Sequence, residues 1–128
     1  MVPHVVPPYA ALLVFIYLVL ATRVMALRRG LQVSIGSGGN MALERRIRVH
    51  ANFAEYVPLT LIVLVLTEMR GHAGWYLNLL CLALLAGRLA HAYGVSQEPD
   101  IMALRGAGVL LTFAALILAS LTLLVDAI

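Results

Sequence analysis

Between Ala107 and Val125 no residue carries a charge. A run of this kind can cross a hydrocarbon core of roughly 30 Å as one helix, for which about 20 mostly apolar residues suffice. Three other blocks approach the same pattern. One extends from about Pro8 to Leu27 and is interrupted only by Arg23. Another extends from about Trp75 to Ala92 and is broken by Arg88 and His91 near its end. The remaining block is clean only from Val57 to Thr67, but its helical pattern begins near Met41. It spans a bilayer only if its charged first half is helical too. The expected fold is therefore all-α: a single integral membrane four-helix bundle over residues 1–128, with helices at approximately 8–29, 41–69, 74–94 and 103–126.

Composition agrees. Hydrophobic residues make up 62% of the 128 and charged residues only 12%, against about 25% charged in soluble domains. This excludes a disordered chain, a nucleic-acid-binding arm, an ordinary soluble enzyme and a multidomain protein. The single cysteine, Cys81, excludes an intrachain disulfide framework and a cysteine-based zinc site. It lies among leucines, where a thiol is inert. His4, His50 and His72 have no partners at metal-ligand spacing, so no metal is expected. The first helix reads as retained, because Met1-Val2-Pro3-His4 lacks a positive n-region and no small-x-small cleavage site follows convincingly.

Arginine supplies all the positive charge, and its distribution sets the expected topology. Arg28, Arg29, Arg45, Arg46 and Arg48 surround the first connection, Arg70 alone the second, and Arg88 and Arg105 flank the third. The positive-inside rule places the first and third connections in the cytoplasm and both termini outside. The pI near 9.5 reflects this orientation against an anionic leaflet and requires no nucleic acid. Gly36-Ser37-Gly38-Gly39-Asn40 reads as a flexible turn without phosphate-loop spacing. Asn40 is positioned to cap the second helix, with Glu44 in its first turn.

The informative segment is Glu44–Leu59. At about 100° per residue, Arg48, Asn52, Glu55 and Leu59 fall within roughly 80° of Arg45. A helix over Met41–Met69 is about 43 Å long, so its first turns can stand among the headgroups while Asn52 and Glu55 reach the inner part of the membrane. Ionisable groups there cost about 2.5–3.5 kcal/mol on insertion scales and usually face a bundle interior or wet cavity. Arg46 reads as an interfacial, snorkelling arginine. A structural salt-bridge network is the alternative for the others. Pro58 removes the hydrogen bond to the Ala54 carbonyl, and a kink there would widen a cavity around the stripe. Arg88 and His91 share one face of the third helix, Tyr93 follows at its exit, and Arg105 opens the fourth. Four arginines, Asn52, Glu55 and His91 thus gather at one end of the bundle.

This constellation resembles the MAPEG family, the membrane-associated proteins in eicosanoid and glutathione metabolism. The resemblance rests on Glu44-Arg45-x-x-Arg48-x-x-x-Asn52-x-x-Glu55-Tyr56-x-Pro58-Leu59. It is supported by Arg28-Arg29, Arg88-x-x-His91 and Arg105, and the glycine-rich loop is similar to the bacterial branch, which implies a bacterial inner membrane. The resemblance implies a homotrimer with glutathione, as co-substrate, bound between subunits near the cytoplasmic side. Arg28, Arg48, Asn52, Glu55, Tyr56 and Arg88, with His91 and Tyr93, correspond to glutathione-binding positions, and Arg105 to the arginine that activates the thiol. Val95 stands where members carry a further tyrosine, and Gly106 where prostaglandin-forming members carry serine; both departures point away from prostaglandin or leukotriene chemistry. The implied activity is a glutathione transferase or peroxidase acting on a lipophilic electrophile. The alternatives are a non-catalytic lipid-binding or scaffold protein, which the family also contains, and a purely structural bundle or small transporter. Ala83-x-x-x-Gly87 and Ala86-x-x-x-Ala90 offer small faces suited to close helix packing and oligomerisation.

Overall fold

A computed structural model describes residues 2–128. It contains four helices: α1 (Val6–Leu31), α2 (Met41–Met69), α3 (Gly74–Ser96) and α4 (Met102–Val125). Each is long and apolar enough to cross a membrane. They associate through a narrow core of Leu13 and Leu20 from α1, Phe53, Val57 and Leu64 from α2, Leu80, Cys81 and Leu84 from α3, and Ala115 and Ala119 from α4. The remaining helix surface is largely apolar and exposed, with Phe15, Ile62, Leu110 and Leu118 among its side chains. Lipid, not water, is the solvent that such a surface requires.

The helix ends follow local chemistry. Asn40 caps α2 by accepting from the Leu43 N–H at 2.9 Å. The preceding turn places Gly36, Gly38 and Gly39 at positive φ, a region open to glycine without a Cβ penalty. α1 continues to Leu31, past its last arginines, and stops where Gln32 turns left-handed. At its start, Pro7 and Pro8 lack amide hydrogens where a helix cannot pair them. The amides of His4, Val5 and Val6 donate to the carboxylate of Glu68 at 2.6, 2.6 and 2.9 Å. Glu68 is 1% exposed. The last turn of α2 thereby holds the first turn of α1 through a buried anion at a positive helix end.

Replacing Glu68 by alanine removes all three hydrogen bonds together. Amide exchange at Val5 and Val6 is expected to accelerate at least about tenfold, the equivalent of ~1.4 kcal/mol from lost charged hydrogen bonds. Hydrogen exchange in detergent reads this directly. Unchanged exchange would show that water replaces the carboxylate without loss.

α3 and α4 form the closest pair and α1 and α3 the loosest contact, whereas α1 and α4 do not pack together among the described residues. Two glycines set the close approach. A Cβ built on Gly108 would lie 2.5 Å from the Gly87 carbonyl oxygen and 2.6 Å from His91 Cβ. Of the two small-residue motifs in α3, the one ending at Gly87 is therefore used within the chain, against α4. Arg46 also differs from a free interfacial side chain, because its guanidinium donates to the Arg23 carbonyl oxygen at 2.9 Å.

Candidate functional site

The close α3–α4 seam brings Arg88 against α2. Arg88 is 2% exposed. Its Nη1 donates to Asn52 Oδ1 at 2.7 Å and its Nη2 to the Gly108 carbonyl oxygen at 3.5 Å. The guanidinium carbon lies 5.8 Å from the centre of the Tyr56 ring, within range of a cation–π interaction. Tyr56 in turn packs against Phe113 of α4 at 5.4 Å between ring centres. Arg88 Nε has no hydrogen-bond partner among the described residues. Among the described residues no carboxylate lies within ion-pair distance of this buried cation. Buried charges are normally paired, so the site carries a positive charge that neutral groups alone hold.

Toward the arginine-rich end, Asp100 joins α2 to α4. Its carboxylate accepts from Arg45 and, at 2.8 Å, from Arg105. Hydrogen bonding to Arg45, and then to Arg105, holds the Asp100 carboxyl below its ordinary range. Arg45 also donates to the Val95 carbonyl oxygen at 3.3 Å. Around these groups lies an open cavity of about 310 Å³, lined by Met41, Glu44, Arg45, Arg48, Val95, Asp100 and Arg105. Asp100 makes the contacts there that a ligand carboxylate could make, since guanidinium matches carboxylate geometry.

The α2 stripe divides as the helix turns. Asn52 and Tyr56 are half-buried toward α3 and α4, whereas Arg48 and Glu55 are exposed on the surface of the protomer. The physical reason is angular: Arg48 and Glu55 sit roughly 40–60° from Asn52 around α2. A single four-helix unit is too thin to enclose both edges. His91 is 6% exposed and packed at the seam against Gly108. Arg28 is occupied by the first connection, donating to the carbonyl oxygens of Gly36 at 2.7 Å and Val33 at 3.4 Å. Tyr93 lies roughly 140° around α3 from Arg88 and lines a groove against α1.

Pro58 does not open the stripe side. The cavity beside it, about 260 Å³, is lined by apolar side chains and Tyr17 on the α1-facing side of α2. A kink would widen the face that carries the missing hydrogen bond, and Ala54, whose carbonyl loses it, lies roughly 160° around α2 from Asn52. Asp100 and Gly108 escaped the sequence reading. Asp100 sits in a short polar connection where an acid looks like an ordinary loop residue. Gly108 lies in an apolar helix, where its importance depends on what faces it. A usable signal was the proximity of Asp100 to Arg105 in the chain.

Comparison with known proteins matches residues 6–125 to the MAPEG family. The chain is also 34% identical over 110 residues to the "Inner membrane protein YecN" of Escherichia coli strain K12, covering 86% of this chain and 82% of that protein. The protein of the same name from Escherichia coli O6:H1 gives the same identity and coverage. With its four membrane-length helices and a match over nearly the whole chain, this protein belongs to the MAPEG family.

Proposed function

We propose that the protein is a membrane-bound glutathione-dependent transferase or peroxidase acting on lipophilic electrophiles, with glutathione bound between adjacent copies of a homotrimer. Arg88 carries this reading: a buried guanidinium with an unpartnered Nε and no carboxylate partner, held by Asn52 beside Tyr56. Glutathione offers two carboxylates, an ammonium, two amides and a thiol. Arginines suit the carboxylates, Glu55 suits the ammonium, and Asn52 and Tyr56 suit the amides. Arg48 and Glu55 are exposed in one protomer, which favours a site completed by a neighbour. Arg28 is assigned to such a site from the neighbouring copy, and Tyr93, which faces the groove against α1, is left out of the set. The cytoplasmic placement rests on the arginine-rich end facing inward.

Arg105 supplies the proposed chemistry. A thiol of pKa about 8.5 is only ~3% ionised at pH 7. A guanidinium in a partly dry site favours the thiolate. In transfer, the thiolate sulfur forms a bond to the electrophilic carbon and the leaving group departs with its electron pair. In peroxide reduction, two glutathione molecules yield the disulfide while the hydroperoxide yields alcohol and water.

Calorimetric titration of the detergent-solubilised protein tests the binding step. Glutathione is expected to bind, and Glu55→Gln to weaken it at least about tenfold, as for one charge-assisted hydrogen bond. No binding to the unaltered protein overturns the reading. Binding without turnover of any electrophile or hydroperoxide favours a non-catalytic role.

A further inference from the structure

The loosest contact in the bundle, between α1 and α3, leaves a groove of about 450 Å³. It lies away from the Arg88 site. Its long wall is apolar, with Phe15, Val19 and Leu89 66%, 57% and 49% exposed. One end is polar: Arg23, Ser96 and Gln97 line it there. Arg23 interrupts an otherwise apolar spanning helix, about 12 Å along α1 from Phe15. Among the described residues its guanidinium makes one hydrogen bond, a long one, 3.5 Å from Nη1 to Ser96 Oγ.

Arg23 is also where a second positive charge arrives. The Arg46 guanidinium is bonded to the Arg23 carbonyl oxygen. Among the described residues neither arginine has a carboxylate within ion-pair distance. A second guanidinium is thus anchored on the α1 backbone at Arg23, outside the groove lining, without an anion. An arginine in a spanning helix is costly unless paired, and nothing among the described residues pairs these two.

We infer that this groove is a binding site for one anionic phospholipid, its phosphate at Arg23 and one acyl chain along Phe15, Val19 and Leu89. The charges fit: the groove presents the Arg23 cation at one end and hydrocarbon beyond, in the order of a lipid headgroup and chain. The bilayer supplies the occupant laterally. Glutathione does not fit a groove whose length is hydrocarbon. The site is independent of the glutathione reading, because it uses a different face of the bundle.

Tryptophan quenching in vesicles tests it. Phe15→Trp is made with Trp75→Phe, leaving one indole in the groove. The protein is reconstituted in phosphatidylcholine containing a minority of phosphatidylglycerol, with bromine on the acyl chains of one lipid or the other. Brominated phosphatidylglycerol is expected to quench about five times more than its mole fraction predicts, the factor equivalent to ~1 kcal/mol for one basic side chain near an anionic surface. The excess is expected to vanish in Arg23→Gln and to return in Arg23→Lys. Leu110→Trp, made with Trp75→Phe on an exposed part of α4, is expected to follow mole fraction throughout. Quenching of the groove indole that follows mole fraction with Arg23 intact overturns the site, leaving ordinary lipid contact. Quenching by neither lipid also overturns it, because a second copy then covers the groove.

Discussion

In Arg105→Ala the ultraviolet absorbance of glutathione thiolate is expected to disappear near neutral pH while glutathione still binds. If Arg105 lowers the thiol pKa by about two units, its loss withdraws ~2.7 kcal/mol of thiolate stabilisation. At pH 7 the thiolate fraction, and with it turnover, then falls about 25-fold, with a much smaller change in affinity. The separation is physical. Arg88, Asn52 and Glu55 hold the molecule in the proposed site, whereas Arg105 acts on one atom. Arg105 is half-exposed and shares Asp100 with Arg45, so its removal leaves the bundle intact and Asp100 still paired.

Asp100 makes the pH dependence interpretable. A carboxyl whose native pKa is lowered contributes stability above its unfolded value, about 3.9, and loses it only as pH falls through the native value. The bridge to Arg45 and Arg105 is therefore fully formed where the thiol titrates. A turnover profile rising between about pH 6 and 7 belongs to the thiol, and in Arg105→Ala it moves up toward about 8.5. An unaltered thiolate signal in Arg105→Ala would remove Arg105 from the chemistry and leave the binding proposal standing.

Gly108→Ala is expected to destabilise the protein by about 2–3 kcal/mol, the upper range for overpacking. The added carbon would meet main-chain atoms of Gly87 and His91 at 2.5 and 2.7 Å. Backbone cannot rotate away as a side chain can, so α3 and α4 must separate. Arg88 sits in the same seam and donates to the Gly108 carbonyl, so glutathione binding is expected to weaken as well. Gly106→Ala provides the contrast. A Cβ at Gly106 meets nothing within 4 Å, and alanine favours a helix by up to about 1 kcal/mol. The first variant should lower the thermal midpoint in detergent and the second should hold or raise it. Equal effects would show that the seam yields easily.

Much of the architecture was legible because membrane insertion imposes a one-dimensional rule. Length and apolarity decide whether a segment can span, and both are read along the chain. The second helix shows the strength of the rule: its charged half joins its apolar half in one element, Met41–Met69, as helical periodicity requires. Asn40 was legible as a cap because capping depends on a few adjacent residues. Glu68 was less so. Its partners lie more than 60 positions away, and in sequence it looks like an acid at a helix end.

For the site, sequence alone determined which residues share a helical face and that arginine-rich chemistry gathers at one end, because 100° per residue is a property of the local chain. Tertiary structure decided which of those faces meet. It joined Arg88 to Asn52 and Tyr56, turned Tyr93 toward α1, enlisted Asp100 between Arg45 and Arg105, and used Gly87 and Gly108 to close the seam. The reason is that rotation of one helix about its axis relative to another is fixed by packing. In this bundle a pair of glycines and a buried guanidinium set it, and neither has meaning until its partner is in place.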